Sequence, residues 1–179
     1  MGLDPPDKTL SHFEVLGVPA TFAHDADELE KKFRGLSIKL HPDRFARKDP
    51  VERKNALAWT TALNDAYRAL KDPVRRAEYL LSRAGFLLEK QDLGHAFLEE
   101  AMDDRERLAE AKASSPVEVE RLHAVVLAKR DAALRTIAEA FALFERTRDR
   151  AALDVAANKL ARLRYHQRFL DEVEGKIHA

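Results

Sequence analysis

The chain has 179 residues, with 31 basic and 31 acidic side chains and no net charge, so it lacks the positive excess of a whole-chain nucleic-acid or membrane-surface binder. Hydrophobic residues make up 45% and charged ones 35%, which is apolar enough for a core and too apolar for wholesale disorder. Cysteine is absent, and with it go disulfides, thiolate nucleophiles and cysteine-held zinc or iron–sulfur sites.

Alanine (29) and leucine (24) far outnumber valine (10), isoleucine (3) and threonine (6). The first pair favours helices and the second group favours strands, so an all-α protein is expected. The opening MGLDPPDKTL has no basic flank followed by an apolar run, and no stretch approaches the roughly 18 uncharged residues of a spanning helix. A soluble, cytoplasmic protein is expected.

Helix starts are written in cap chemistry. Ser11 with Glu14 can form a capping box, and Gly17 suits a left-handed stop. A short helix carrying Phe13, Val15 and Leu16 lies between them. Asp25 and Glu28 open a second helix in the same way, with Leu29, Phe33, Leu36 and Leu40 as its apolar stripe. Asp49-Pro50 opens a third, along which Ala56, Trp59, Leu63, Tyr67 and Leu70 recur. Trp59 reads as core. Asp72-Pro73 opens a fourth, and Gly85 and Gly94 bracket a looser connection.

From about Gly94 the texture changes to long helices. One carries Phe97, Leu98, Ala101, Met102 and Leu108. Ser114-Ser115-Pro116 with Glu118 starts the next, which holds Leu122, Val126, Ala133, Ile137, Ala140 and Phe144. Asp149 caps the last, striped by Leu153, Ala156, Leu160, Leu163 and Leu170. Such helices with short links predict an antiparallel three-helix bundle. The expected division is residues 1–84, a linker at 85–95, and a bundle at 96–179.

The chemistry-bearing feature of the first part is His41-Pro42-Asp43, between helices two and three. Alone, it reads as a turn in which proline ends the helix and Asp43 caps the loop. Around it, residues 31 to 48 hold seven basic side chains (Lys31, Lys32, Arg34, Lys39, Arg44, Arg47, Lys48) against Asp43. That is either a face that steers an acidic partner or a solvated helix end offsetting the dipole. The order Phe13-Glu14-Val15-Leu16-Gly17, His41-Pro42-Asp43-Arg44-Phe45, Leu63-Asn64-Asp65-Ala66-Tyr67 and Asp72-Pro73-x-x-Arg76 closely resembles the J-domain of DnaJ-type co-chaperones over about the first 80 residues. The resemblance implies docking on a DnaK-type ATPase chaperone and triggering of its ATP hydrolysis. His41, Pro42 and Asp43 would be the essential contact, with Lys31, Arg34, Lys39 and Arg44 assisting.

The remainder narrows the family. The run Arg76-Ala77-Glu78-Tyr79-Leu80-Leu81, the overall length and Lys159-Leu160-Ala161-Arg162-Leu163-Arg164-Tyr165 look like HscB, the co-chaperone family of iron–sulfur cluster biogenesis. Without cysteine the chain looks like the bacterial form, lacking the zinc module of eukaryotic relatives. The resemblance implies an HscA-like chaperone partner and an IscU-like scaffold client held by Leu98, Glu99, Met102, Asp103, Glu106 and Tyr165. Glu99 stands where an apolar residue is more usual, and Tyr165 where phenylalanine is common. The residues allow a second reading, in which Leu98, Met102 and Tyr165 are bundle core and the acids are solvated. Residues 97–110 hold six acidic groups against Arg105 and Arg107.

Seven histidines, His178 among them, are scattered without a ligand-like spacing. No phosphate-cradling glycine loop exists, so no ATP hydrolysis, cofactor or metal is expected of this chain. Lys129-Arg130 and Arg162/Arg164 read as solvated faces. The functional expectation is a non-enzymatic co-chaperone that recruits the scaffold and stimulates the chaperone's ATPase. A J-domain protein with another client is the alternative, and a nucleic-acid binder or a small helical enzyme is disfavoured.

Overall fold

The computed structural model describes residues 3–175, so His178 lies outside the described residues. They contain seven α-helices, two short 3₁₀ turns and no strand: α1 (His12–Leu16), α2 (Ala26–Leu40), α3 (Pro50–Lys71), α4 (Pro73–Arg83), α5 (His95–Ser114), α6 (Pro116–Thr147) and α7 (Arg150–Val173). The chain forms two compact units that divide inside α4, between Tyr79 and Leu80.

In the first unit, the cap chemistry sets the helix starts. Ser11 and Glu14 bond reciprocally in a capping box, and Gly17 closes α1 in the left-handed region at φ 63°. The Asp25 carboxylate accepts the Glu28 N–H, and Asp49 accepts the Val51 and Glu52 N–H groups ahead of Pro50. These acceptors satisfy donors that a helix start leaves open. α3 packs against both α1 and α2. Phe13, Leu16, Leu29, Ala56, Leu63, Ala66 and Leu70 are buried between them, each large one contributing about 1.5–3 kcal/mol. α2 and α3 run antiparallel. The Phe33 ring stacks on Tyr67 with centroids 4.1 Å apart, while at the other end Thr60 Oγ1 donates to the Leu40 carbonyl.

Trp59 is half-buried rather than core, because the N-terminal segment lies over α3 beside it. Leu3 N–H donates to Glu52 Oε1 at 3.3 Å, Asn55 Nδ2 donates to Leu3 O at 2.8 Å, and Trp59 Nε1 donates to Asp4 O at 2.8 Å. Spacings of three and four along α3 place these three side chains on one face. Gly35 stands inside α2, where glycine costs about 0.5–1 kcal/mol relative to alanine. A Cβ added there would meet nothing within 4 Å, so no packing within the chain calls for glycine.

The turn from α3 to α4 is fastened by Arg76, only 6% exposed. Its Nε donates to the Leu70 carbonyl at 2.6 Å and its Nη1 to the Phe22 carbonyl at 2.7 Å. Its guanidinium also lies over the Phe22 ring. Asp72 caps α4 by accepting the Arg75 N–H. Burial pulls the Arg76 pKa down, and the Asp72 charge opposes that pull.

In the second unit, α5, α6 and α7 form the bundle, with α6 antiparallel to its two neighbours. Leu108, Ala111, Leu122, Val126, Phe169 and Leu170 make the shared core where all three meet. Ala140, Ala152, Ala156, Ala157 and Ala161 are buried along α6 and α7. Ser115 caps α6 and Asp149 caps α7. Between them Arg148 takes the left-handed conformation at φ 58° and returns its N–H to Phe144 O, closing α6 without a glycine. Arg150 donates to Ala84 O and covers the Phe86 ring, seating the segment after α4 against the head of α7.

Removing the Arg76 side chain leaves two inward-facing carbonyls without donors. We expect Arg76→Ala to destabilise the first unit by about 2–4 kcal/mol, and Arg76→Lys to recover only part because one ammonium cannot fork to both carbonyls. Urea unfolding of the three proteins measures this. Equal midpoints would refute the role assigned to Arg76.

Candidate functional site: two interaction faces

The first face is the tip between α2 and α3. His41 ends α2 with extended backbone (φ −58°, ψ 131°) and caps a 3₁₀ turn, Pro42–Phe45. Pro42 bars the preceding residue from helical geometry, so the helix stops there and the turn stands clear. His41 Nδ1 accepts the Asp43 N–H at 3.3 Å and lies 3.5 Å from Asp43 Oδ2. Both side chains are largely in solvent, His41 57% exposed and Asp43 89%. The base of the turn is anchored: Thr60 holds the Leu40 carbonyl, and Arg44 N–H bonds His41 O.

Lys31, Arg34, Lys39 and Arg44 are all exposed. Arg34 pairs with Glu30 one turn earlier, which lowers the free charge of the face. Lys31, Arg34 and Ile38 lie on the side of α2 opposite Leu29, Leu36 and Leu40. Ile38 is 65% exposed and lines an open hollow of about 350 Å³ with Ser37, His41 and Arg44. Sequence patterning misses it as a surface feature. The signal was its position off the buried stripe of α2.

The second face is on the bundle. Leu98 is 40% exposed, Met102 64% and Tyr165 37%; Glu99, Asp103 and Glu106 are also exposed. The reading in which the three apolar residues are core is therefore overturned. The α5 core stripe is Phe97, Leu108 and Ala111, and Leu98 and Met102 lie beside it on the flank toward α7. Tyr165 reaches the same flank, its ring meeting Phe97 edge-on at 5.7 Å. Phe97 also meets His166 edge-on and lies under the Arg162 guanidinium at 5.1 Å. Glu99 is drawn toward His95 at 3.2 Å.

Residues 11–79 match the model of the DnaJ domain, and residues 93–174 match that of the HSCB C-terminal oligomerisation domain. A co-chaperone protein HscB homolog of Burkholderia multivorans is 33% identical over 170 residues, covering 93% of this chain and 94% of its own length. The chain belongs to the HscB family of co-chaperones. One from Bordetella petrii is 41% identical over 109 residues, a match spanning just under two thirds of that relative at 64%. Among solved structures, the crystal structure of human co-chaperone protein HscB superposes with a TM-score of 0.86 at 26% identity, covering 98% of this chain and 86% of that one. Chaperone HscB from Vibrio cholerae gives 0.80 at 31%, covering 93% and 97%. A DnaJ domain in a co-chaperone implies a DnaK-type chaperone as its partner. Among the described residues, no helix is long and apolar enough to cross a membrane and no cluster of three or more acids and histidines is set to hold a metal.

In this HscB chain, basic residues expected to be solvated are engaged. Lys129 bridges from α6 to α5, with Nζ 2.7 Å from both Glu100 and Asp104. Arg130 bonds Gln167 and Asp131, and Arg162 covers Phe97. Apart from Asp131, which adjoins Arg130 on α6, these partners sit on other helices, 25 to 37 residues away for the two α6 residues, so no local pattern announces them. Arg164 is exposed. Burial pulls the Lys129 pKa down, but the hydrogen bonds to Asp104 and Glu100 outweigh it and hold the ammonium above its ordinary value. The Lys129 hydrogen bond holds the Glu100 carboxyl low. Burial, and then the Lys129 charge, push the His166 imidazole below its ordinary range.

Both depressed groups act in the same direction. The folded bundle binds fewer protons than the unfolded chain at His166 and Glu100, so stability falls as pH falls, first through the free-imidazole range near about 6.5 and later through the carboxylate range. The melting temperature of wild type should drop between about pH 7.5 and about pH 5.5, and His166→Asn should drop less. Identical drops would remove His166 from this account.

Proposed function

We propose that this chain docks its first unit on a DnaK-type ATPase, the HscA-like chaperone of its cell, and stimulates ATP hydrolysis there. Its bundle would hold an IscU-like scaffold and hand it to that chaperone in iron–sulfur cluster assembly. The observation that carries the reading is the His41-Pro42-Asp43 turn. It stands in solvent on an anchored base at the end of a basic helix, in a chain whose other unit matches the HscB C-terminal domain. A turn needed only for chain reversal requires no exposed imidazole–carboxylate pair. The matched C-terminal domain also supports the scaffold over an unrelated client.

In this reading the chemistry belongs to the chaperone. The chain contributes a differential affinity for one nucleotide state and proximity of the client. Basic residues Lys31, Arg34, Lys39 and Arg44 steer the encounter and orient the turn. On the bundle, Leu98, Met102 and Tyr165 form the apolar centre of the client contact, with Glu99, Asp103 and Glu106 at its edge. A small apolar centre with a polar rim suits a reversible contact.

His41→Gln should abolish stimulation of ATP hydrolysis and leave the folding stability within the range of exposed substitutions, about ±0.5 kcal/mol. Steady-state hydrolysis by the chaperone measures it, and full stimulation by the variant overturns the role of the turn.

The bundle contact is tested by Leu98→Ala, Met102→Ala and Tyr165→Ala together. Exposed anchors cost about 1–3 kcal/mol of binding each when truncated, whereas core residues cost about 2–5 kcal/mol of stability. Calorimetric titration against the scaffold should show at least a tenfold loss of affinity, with only a small change in melting temperature. Unchanged affinity would move the client surface elsewhere.

A further inference from the structure

We infer that Gly35 is a contact notch, a place on α2 left without a side chain so that a backbone segment of the ATPase partner can seat against the helix. The inference rests on the docking reading above and adds to it a second point of contact, apart from the His41-Pro42-Asp43 turn.

Three observations carry it. First, glycine is the poorest ordinary residue for a helix interior, yet Gly35 lies in the second half of α2, between caps at Asp25 and His41. Second, nothing in the chain explains it. A side chain there would meet no neighbouring atom within 4 Å, and the position has no left-handed backbone to accommodate. Where an internal packing demand is absent, a helix-weakening residue signals a demand from outside.

Third, the surroundings are built for a particular occupant. Gly35 lines an open cleft of about 370 Å³ beside the end of α1, with Leu16 and Leu36 in its lining and Lys32 and Lys39 flanking the glycine. Both lysines are exposed, and Lys31 stands one turn before Gly35. Glu14, the one acid of the lining, is already bonded to the Ser11 hydroxyl and N–H. The cleft therefore offers positive charge, a short apolar floor and access to main chain. That combination fits a partner segment bearing a carboxylate beside an apolar residue, whose backbone passes over Gly35 while the acid meets Lys32 or Lys39. Ile38 lies three residues beyond Gly35, so the hollow at His41 adjoins the notch along the same helix.

A notch makes an unusual prediction, because filling it should help the fold and harm the contact. The test uses the full chain with Gly35→Ala and Gly35→Leu, both better helix formers. Thermal unfolding followed by circular dichroism should rise by about 2–4 °C for Gly35→Ala. Stimulation of the HscA-like chaperone's ATP hydrolysis should shift to higher half-saturating concentration, about threefold for alanine and tenfold or more for leucine. Lys32→Ala, which leaves the notch open, should weaken stimulation without raising the melting temperature.

Stabilised variants that stimulate like wild type overturn the notch while leaving the turn's role intact. Variants that fail to gain stability also overturn it, since the glycine would then be no cost to the fold. A wild-type chain that fails to stimulate at all overturns the docking reading and this inference with it.

Discussion

The first unit depends on one buried cation. Arg76 reaches the last turn of α3 through the Leu70 carbonyl and the connection before α2 through the Phe22 carbonyl. It thereby joins three separate stretches of chain, the third being the start of α4. A helix C-terminus leaves carbonyls without donors, and a loop buried against a helix brings more. One planar, permanently charged fork satisfies both, which neither lysine nor a neutral side chain can do. Toward the other end of α3, Thr60 holds the Leu40 carbonyl at the base of the His41 turn.

The second unit solves a different problem. Its three helices share a core only where α5 covers the pair α6 and α7, and α6 is twelve residues longer than α5. The beginning of α5 is held by polar and aromatic groups rather than by a deep apolar seam: Lys129 on Glu100 and Asp104, and Arg162 and Tyr165 on Phe97. Such contacts are directional. They fix the rotation of α5, and the rotation decides that Leu98 and Met102 remain outside while Phe97 goes in. A helix secured only by a slippery apolar face could turn and withdraw that patch.

How much of this was legible in the sequence depended on the range of each interaction. Ser11 with Glu14, Asp49 with Pro50, Ser115 and Asp149 act on backbone within a few residues, so the helix starts can be read locally. The stripe Leu29, Leu36 and Leu40 likewise follows from the helical period. Arg76 was readable as part of a motif, but its function was not, because Phe22 lies 54 residues away. Lys129, Arg130 and Arg162 resembled surface charge for the same reason. Leu98, Met102 and Tyr165 fit both core and surface patterns, since an exposed apolar residue beside a buried stripe has nearly the same spacing as a member of it. Arg148 gave no local sign of its left-handed backbone, a conformation that usually calls on glycine or asparagine.

The contact between Trp59 and the Asp4 carbonyl has an optical consequence. This is the chain's one tryptophan, half-buried under the N-terminal segment of the first unit. Its emission therefore reports the surroundings of that segment, whereas the bundle helices supply most of the far-ultraviolet ellipticity. A single denaturation series read in both channels separates the melting of the two halves without labels. Any tag fused ahead of Leu3 pulls directly on the chromophore's own hydrogen-bonded strap.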